Sequence, residues 1–144
     1  MPQVIGLVLA LAVSVYATVM RLDRDRALYP VVLVVIASYY VLFAVMGGST
    51  RSIIIESFVA GGFVLAASLG FRRNLWLVAA ALGAHGVLDV FHARVVANPG
   101  VPVWWPGFCL AYDVTAALFL SGLLLRATPA PDARAASTLA GTPS

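Results

Sequence analysis

Five runs of apolar residues, near Gln3–Met20, Val31–Gly47, Ile53–Gly70, Leu75–Val96 and Gly107–Leu125, alternate with short polar breaks. At 1.5 Å per residue, with some tilt and flanking polar residues, each run can cross a hydrocarbon core of ~30 Å. Charges and helix breakers make the interruptions: Arg21-Leu-Asp-Arg-Asp-Arg26 with Pro30, then Gly48-Ser-Thr-Arg51, then Arg72-Arg73-Asn74. The fourth break, Asn98-Pro-Gly-Val-Pro-Val-Trp-Trp-Pro-Gly107, holds three prolines and two glycines. It predicts an ordered non-helical loop or a short re-entrant turn. From Thr128 onward the chain is rich in Ala, Pro, Ser and Thr with no periodic apolar face, which predicts a disordered tail. The expected fold is all-α: a polytopic membrane protein, with a bundle of five transmembrane helices over residues 1–127 and a cytoplasmic tail over 128–144.

Composition agrees with that pattern. Of 144 residues, 62% are hydrophobic and 10% charged, where a soluble domain carries about 25% charged residues. The net charge of +3 comes from arginine alone, since the chain has no lysine. A high-GC bacterial genome explains that bias, and no nucleic-acid partner is implied. The single cysteine, Cys109, allows no internal disulfide. The first run lacks a basic n-region and a small-residue cleavage site, so it reads as a retained helix. Seven arginines (21, 24, 26, 72, 73, 126 and 134) fall in the first and third breaks and the tail, against two (51 and 94) in the second and fourth. Positive charge marks the cytoplasmic side, which puts the N-terminus outside and the C-terminus inside a bacterial cytoplasmic membrane. Trp104 and Trp105 then fall at the outer interface, where an aromatic belt is expected.

Against this apolar background, both histidines lie in one eight-residue run, His85-Gly-Val-Leu-Asp89-Val-Phe-His92. Spacings of four and three put the two imidazoles and the carboxylate on one helical stripe. Each ionisable group at a helix centre costs on the order of 2.5–3.5 kcal/mol even on the lenient insertion scale, and a bound cation would offset that cost. Imidazole and carboxylate suit a divalent metal, zinc first, with iron or manganese as alternatives. His85 and His92 stand about 10 Å apart along the helix axis, so they do not easily share one ion. Two ions bridged by Asp89, or one ion with the other histidine in a supporting or acid–base role, both fit.

Glu56 and Asp113 are the remaining acidic residues within spans, and with the assigned orientation both fall in the outer half. They can complete the coordination or act as general base, the usual role of a carboxylate beside metal-activated water. The alternative for Glu56 is snorkelling to the interface. Cys109 shares a face with Asp113 and is a weaker candidate, because a lone cysteine more often serves as a small buried hydrophobe. Of Tyr39 and Tyr40, about 100° apart around their helix, at most one can face the site. Gly61, Gly62, Gly83 and Gly86 are expected to let helices approach closely.

The stretch from His85 through Asp113 resembles small bacterial multi-pass membrane proteins grouped as a domain of unknown function, a resemblance that implies no activity. The pairing of helix-borne His with Asp is also faintly similar to intramembrane metal-dependent hydrolases of the alkaline ceramidase and adiponectin-receptor kind. That likeness implies zinc held among His and Asp in a helical bundle, and hydrolysis of lipid amides. Those proteins have seven spans, and a second helix with paired histidines, where this chain has five spans and no such helix.

The residues therefore point to a metal-dependent hydrolase of a lipid or other membrane-soluble substrate, with His85, Asp89 and His92 as ligands and Glu56 and Asp113 as catalytic carboxylates. A proton- or metal-ion transport or sensing component is the alternative from another class, and a structural accessory subunit is the third. Against transport, the inner halves of the spans are nearly free of ionisable groups. Membrane lipids are the expected surroundings, and five short helices leave room for a homo-oligomer or a partner membrane protein.

Overall fold

Five helices carry the chain in the computed structural model, which describes residues 1–22, 24 and 26–127: α1 (Pro2–Val19), α2 (Leu28–Met46), α3 (Thr50–Arg72), α4 (Leu75–Val95) and α5 (Trp105–Ala127). All five are long and apolar enough to cross a membrane. The expected tail at 128–144 lies outside the described residues.

Helix boundaries follow local chemistry. Pro30 falls in the first turn of α2 rather than before it, where a missing backbone N–H costs nothing. Ser49 caps α3 by accepting the Ser52 N–H at 3.2 Å, and Asn74 caps α4 by accepting the Trp76 N–H at 3.0 Å. Pro106 and Gly107 likewise belong to the first turn of α5, so that helix begins two residues earlier than its apolar run suggested.

Helices α2, α3, α4 and α5 pack around one core, in which Leu33, Val78 and Leu82 are fully buried. Half of the α4 span is inside the protein against 22% of the α1, α3 and α5 spans, so α4 is the central helix. Helix α1 packs principally on α5. Large apolar side chains such as Phe58 and Leu118 point outward, the arrangement expected where the surroundings are lipid.

Close approaches depend on glycines other than most of those expected. A Cβ on Gly6 would collide with the Phe108 carbonyl of α5, and one on Gly100 with the Phe43 carbonyl of α2. Gly61, Gly62 and Gly83 have nothing within 4 Å of such a Cβ and face open space. Only Gly86 of the expected set is packed, 3.3 Å from the Asp113 Cβ. Small residues permit close packing only where a neighbouring helix lies on their side of the stripe, and periodicity alone did not fix that side.

Candidate metal centre

The buried stripe of α4 runs Val78, Leu82, His85, Asp89, His92, alternating steps of four and three. Its first half is aliphatic and its second half ionisable. The facing stripe of α5 reads in mirror order: Trp105, Cys109, Asp113, then Ala116 and Leu120. Because α4 runs toward the 96–104 loop and α5 away from it, the polar halves meet near that loop. Tyr40 of α2 and Glu56 of α3 join them, each six residues from its helix end, or about 9 Å by helical rise. Asp89 lies at the same level, His92 roughly one turn shallower and His85 roughly one turn deeper.

Two clusters result. In the deeper one His85 Nδ1 lies 2.7 Å from Asp113 Oδ2 and 3.6 Å from Asp89 Oδ2. Ligand-type atoms of His85, Asp89, Cys109 and Asp113 all lie within 4.8 Å of one another, and all four residues are buried. The Tyr40 hydroxyl donates to Asp89 Oδ1, fixing that carboxylate with its other oxygen toward His85. Phe63 closes the side of the imidazole, its ring centroid 4.9 Å away. Asp89 Oδ2 and Asp113 Oδ1 are buried without a hydrogen-bond partner.

The shallower cluster joins His92 Nε2 to Glu56 Oε1 at 2.7 Å. Glu56 Oε1 also accepts from Asn98 Nδ2 at 2.9 Å, so Glu56 is tied down rather than snorkelling. Asn98 Nδ2 reaches the Tyr40 carbonyl at 3.0 Å, while Asn98 Oδ1 accepts the Gly100 N–H at 3.2 Å. Ser52 Oγ adds a 2.8 Å bond to the Ala97 carbonyl. The proline-rich loop is thereby pinned across this end of the bundle. With Nε2 bonded to Glu56 Oε1, Nδ1 is the His92 ring nitrogen left without a hydrogen bond among the described residues. The ring lines an open groove of about 610 Å³ beneath the loop, together with Asn98, Pro99, Val101 and Pro102.

The structure thus separates the two histidines, as their axial spacing requires, and brings Asp113 and Cys109 to His85 and Asp89. Tyr40 links the clusters, its hydroxyl on Asp89 and its ring centroid 4.1 Å from that of His92. Tyr39 faces elsewhere, against Trp105 at 5.0 Å. Trp105 itself is buried in this aromatic packing, while Trp104 is half-exposed as an interface residue would be. Asn98 is the polar residue with the weakest signal in the sequence, since its bonds run to two helices, α2 and α3, and to the backbone of its own loop.

A buried His, Cys and two Asp can hold a metal ion. At metal–ligand distances of ~2.1 Å, tetrahedral ligand atoms stand roughly 3.4 Å apart, close to the 3.6 Å between His85 and Asp89. Charge allows the same occupancy. Ionised together, two carboxylates beside one imidazole would leave excess negative charge, which a buried site avoids either with a shared proton or with a cation. A divalent cation balances both carboxylates and leaves His85 neutral as a ligand. No family model, curated protein or solved structure matches the chain, so what the site does is read from its own residues.

Proposed function

We propose that His85, Asp89, Cys109 and Asp113 form a divalent-metal centre, zinc by its mixed N/S/O donor set, in a membrane-embedded hydrolase of a lipid or other membrane-soluble substrate. The observation that carries this reading is the convergence of four ligand-type atoms from α4 and α5 within 4.8 Å, two of the carboxylate oxygens being buried without partners. In a bilayer no water completes such groups, and each unmet acceptor costs free energy that a bound ion recovers. The arginine distribution supports an outside N-terminus, with the groove opening on the outer face.

In this reading Asp113 is a ligand rather than a base, and His92 a proton carrier rather than a ligand. With three of these donors as ligands an ion would keep a place for water, and would supply the Lewis acidity that lowers the pKa of water toward ~7. Tyr40 holds Asp89 in its ligating orientation through Oδ1, the kind of supporting bond that typically affects metal affinity 10–100-fold. Glu56 fixes the tautomer of His92, so that Nδ1 can take a proton from what enters the groove and return it to a leaving group. Asn98 keeps Glu56 in place and the loop closed over both.

Elemental analysis of detergent-purified protein tests this, with wild type beside Asp89→Asn and Asp113→Asn. Near-stoichiometric zinc in wild type, lost in both variants, is the expected result. One contact favours a second reading, a metal-free proton-handling cluster: His85 Nδ1 and Asp113 Oδ2 at 2.7 Å form a direct hydrogen bond, shorter than a ligand–ligand edge. Folded wild type that neither contains metal nor takes it up on reconstitution would select that reading.

A further inference from the structure

Helices α1 and α2 both border α5, but neither closes on the other, and a slot of about 340 Å³ runs between them. Leu9 of α1, Val35 and Tyr39 of α2, and Trp105, Phe108 and Tyr112 of α5 line it. Three of these residues carry hydrogen-bond donors in an otherwise apolar wall. Trp105 is nine-tenths buried and its Nε1 has no partner. Among the described residues the hydroxyls of Tyr39 and Tyr112 have none either.

Both tyrosines lie seven residues inside their helix ends, Met46 and Trp105, which is about 10 Å by helical rise. Lipid tails at that depth offer no acceptor. Two phenols left unpaired there are costly, unless a ligand carries oxygens into the slot. The walls also constrain ligand shape. Tyr39 and Trp105 pack with ring centroids 5.0 Å apart, Trp105 and Phe108 at 5.5 Å, and Phe108 and Tyr112 at 6.2 Å, an aromatic lining along one side. The two phenols come from opposite walls, α2 and α5. The volume is at the low end of the ~300–1,000 Å³ typical of ligand pockets, enough for one ring and the start of a single chain.

We propose that this slot binds an isoprenoid quinone: a flat, neutral ring whose carbonyl oxygens, at opposite edges, accept from Tyr39 and Tyr112. Its chain leaves along the Val31–Val35 face of α2 into the bilayer. The proposal stands apart from the metal centre, because adjacent residues divide the two places. Tyr39 faces the slot where Tyr40 faces the centre, and Tyr112 faces the slot where Asp113 faces the centre.

The test uses the full chain in phosphatidylcholine nanodiscs, titrated with a benzoquinone bearing one isoprene unit and followed by tryptophan quenching. Tyr39→Phe/Tyr112→Phe removes both phenol donors at nearly constant volume, and Val35→Phe fills the slot from its lipid-facing wall. Saturable quenching is expected in wild type, about tenfold or more weaker in the double variant, and reduced to the level of simple membrane partitioning in Val35→Phe. Helical circular dichroism and metal content, measured on the same samples, are expected to stay at wild-type values, so a failure here is distinct from a failure of the metal reading. Quenching that does not saturate, or that both variants leave unchanged, overturns the proposal. So does equally tight competition by dioctanoylglycerol or by a carbonyl-free chain of the same length.

Discussion

The two imidazole–carboxylate pairs of α4 are built from the same chemistry, and both close at 2.7 Å. They differ in what surrounds them. Glu56 Oε1 receives donors from His92 and Asn98, with the loop folded over the pair. Around His85, two carboxylates and a thiol compete for one imidazole, and two carboxylate oxygens receive no donor. The first pair sits in a hydrogen-bond network that ties it to the loop, and the second is short of donors among the described residues. In a membrane interior, where water cannot make up the difference, donor count rather than residue type separates a supporting network from a ligand site.

Substitutions can break that contrast, and Asp113→Ala is expected to have the largest effect. It should remove bound metal and leave His85 without its 2.7 Å partner, a loss on the order of 3–5 kcal/mol for a broken buried pair. Elemental analysis together with denaturant unfolding in mixed micelles reads both, and a folded variant that keeps its metal would erase the distinction. Tyr40→Phe deletes only the bond to Asp89 Oδ1, so metal affinity should fall about 10–100-fold while the bundle persists. Competition with a chelator measures that shift.

Asn98→Ala should leave metal content intact and cost about 1–3 kcal/mol, since Glu56 loses one donor and the loop its anchor. Faster amide exchange confined to residues 96–104 is the diagnostic sign. Glu56→Gln should do least to stability, roughly 1 kcal/mol, because an amide oxygen can still accept from His92 and Asn98. Its amide NH2 can also donate to His92 Nε2, so the tautomer is no longer dictated by an acceptor alone, and turnover should fall while metal stays. Metal loss in Glu56→Gln would mean that the two clusters act as one.

Much of this arrangement was legible in the chain, for physical reasons that vary by element. Spans are legible because a bilayer demands long apolar runs, and the five runs coincide with the five helices to within a few residues. The stripe His85, Asp89, His92 is legible because one helix fixes it internally. Which partners those residues take depends on the rotation of α3 and α5 about their own axes, and near-uniform apolarity leaves that rotation unmarked. Cys109 therefore read only as a weak candidate, although its sulfur sits among the ligand atoms. Asn98 could not be placed at all, since its three bonds depend on the path of a proline-rich loop. Glycines misled for the same reason: Gly61 and Gly62 offered a close approach on a face with no helix opposite.

The attachment of α1 chiefly to α5, by a contact so close that Gly6 has no room for a methyl group, sets a timetable for biosynthesis. Helix α1 leaves the ribosome before α5 and finds its principal neighbour only after three further helices have been made. Until then it waits as a lone segment in the bilayer, open to other helices. The same delay governs the proposed metal centre, whose four donors all belong to α4 and α5. A chain stalled after α4 would hold only His85 and Asp89 of the set. Insertion must therefore reach α5 before the four side chains can meet, and the docking of α1 against α5 awaits the same helix.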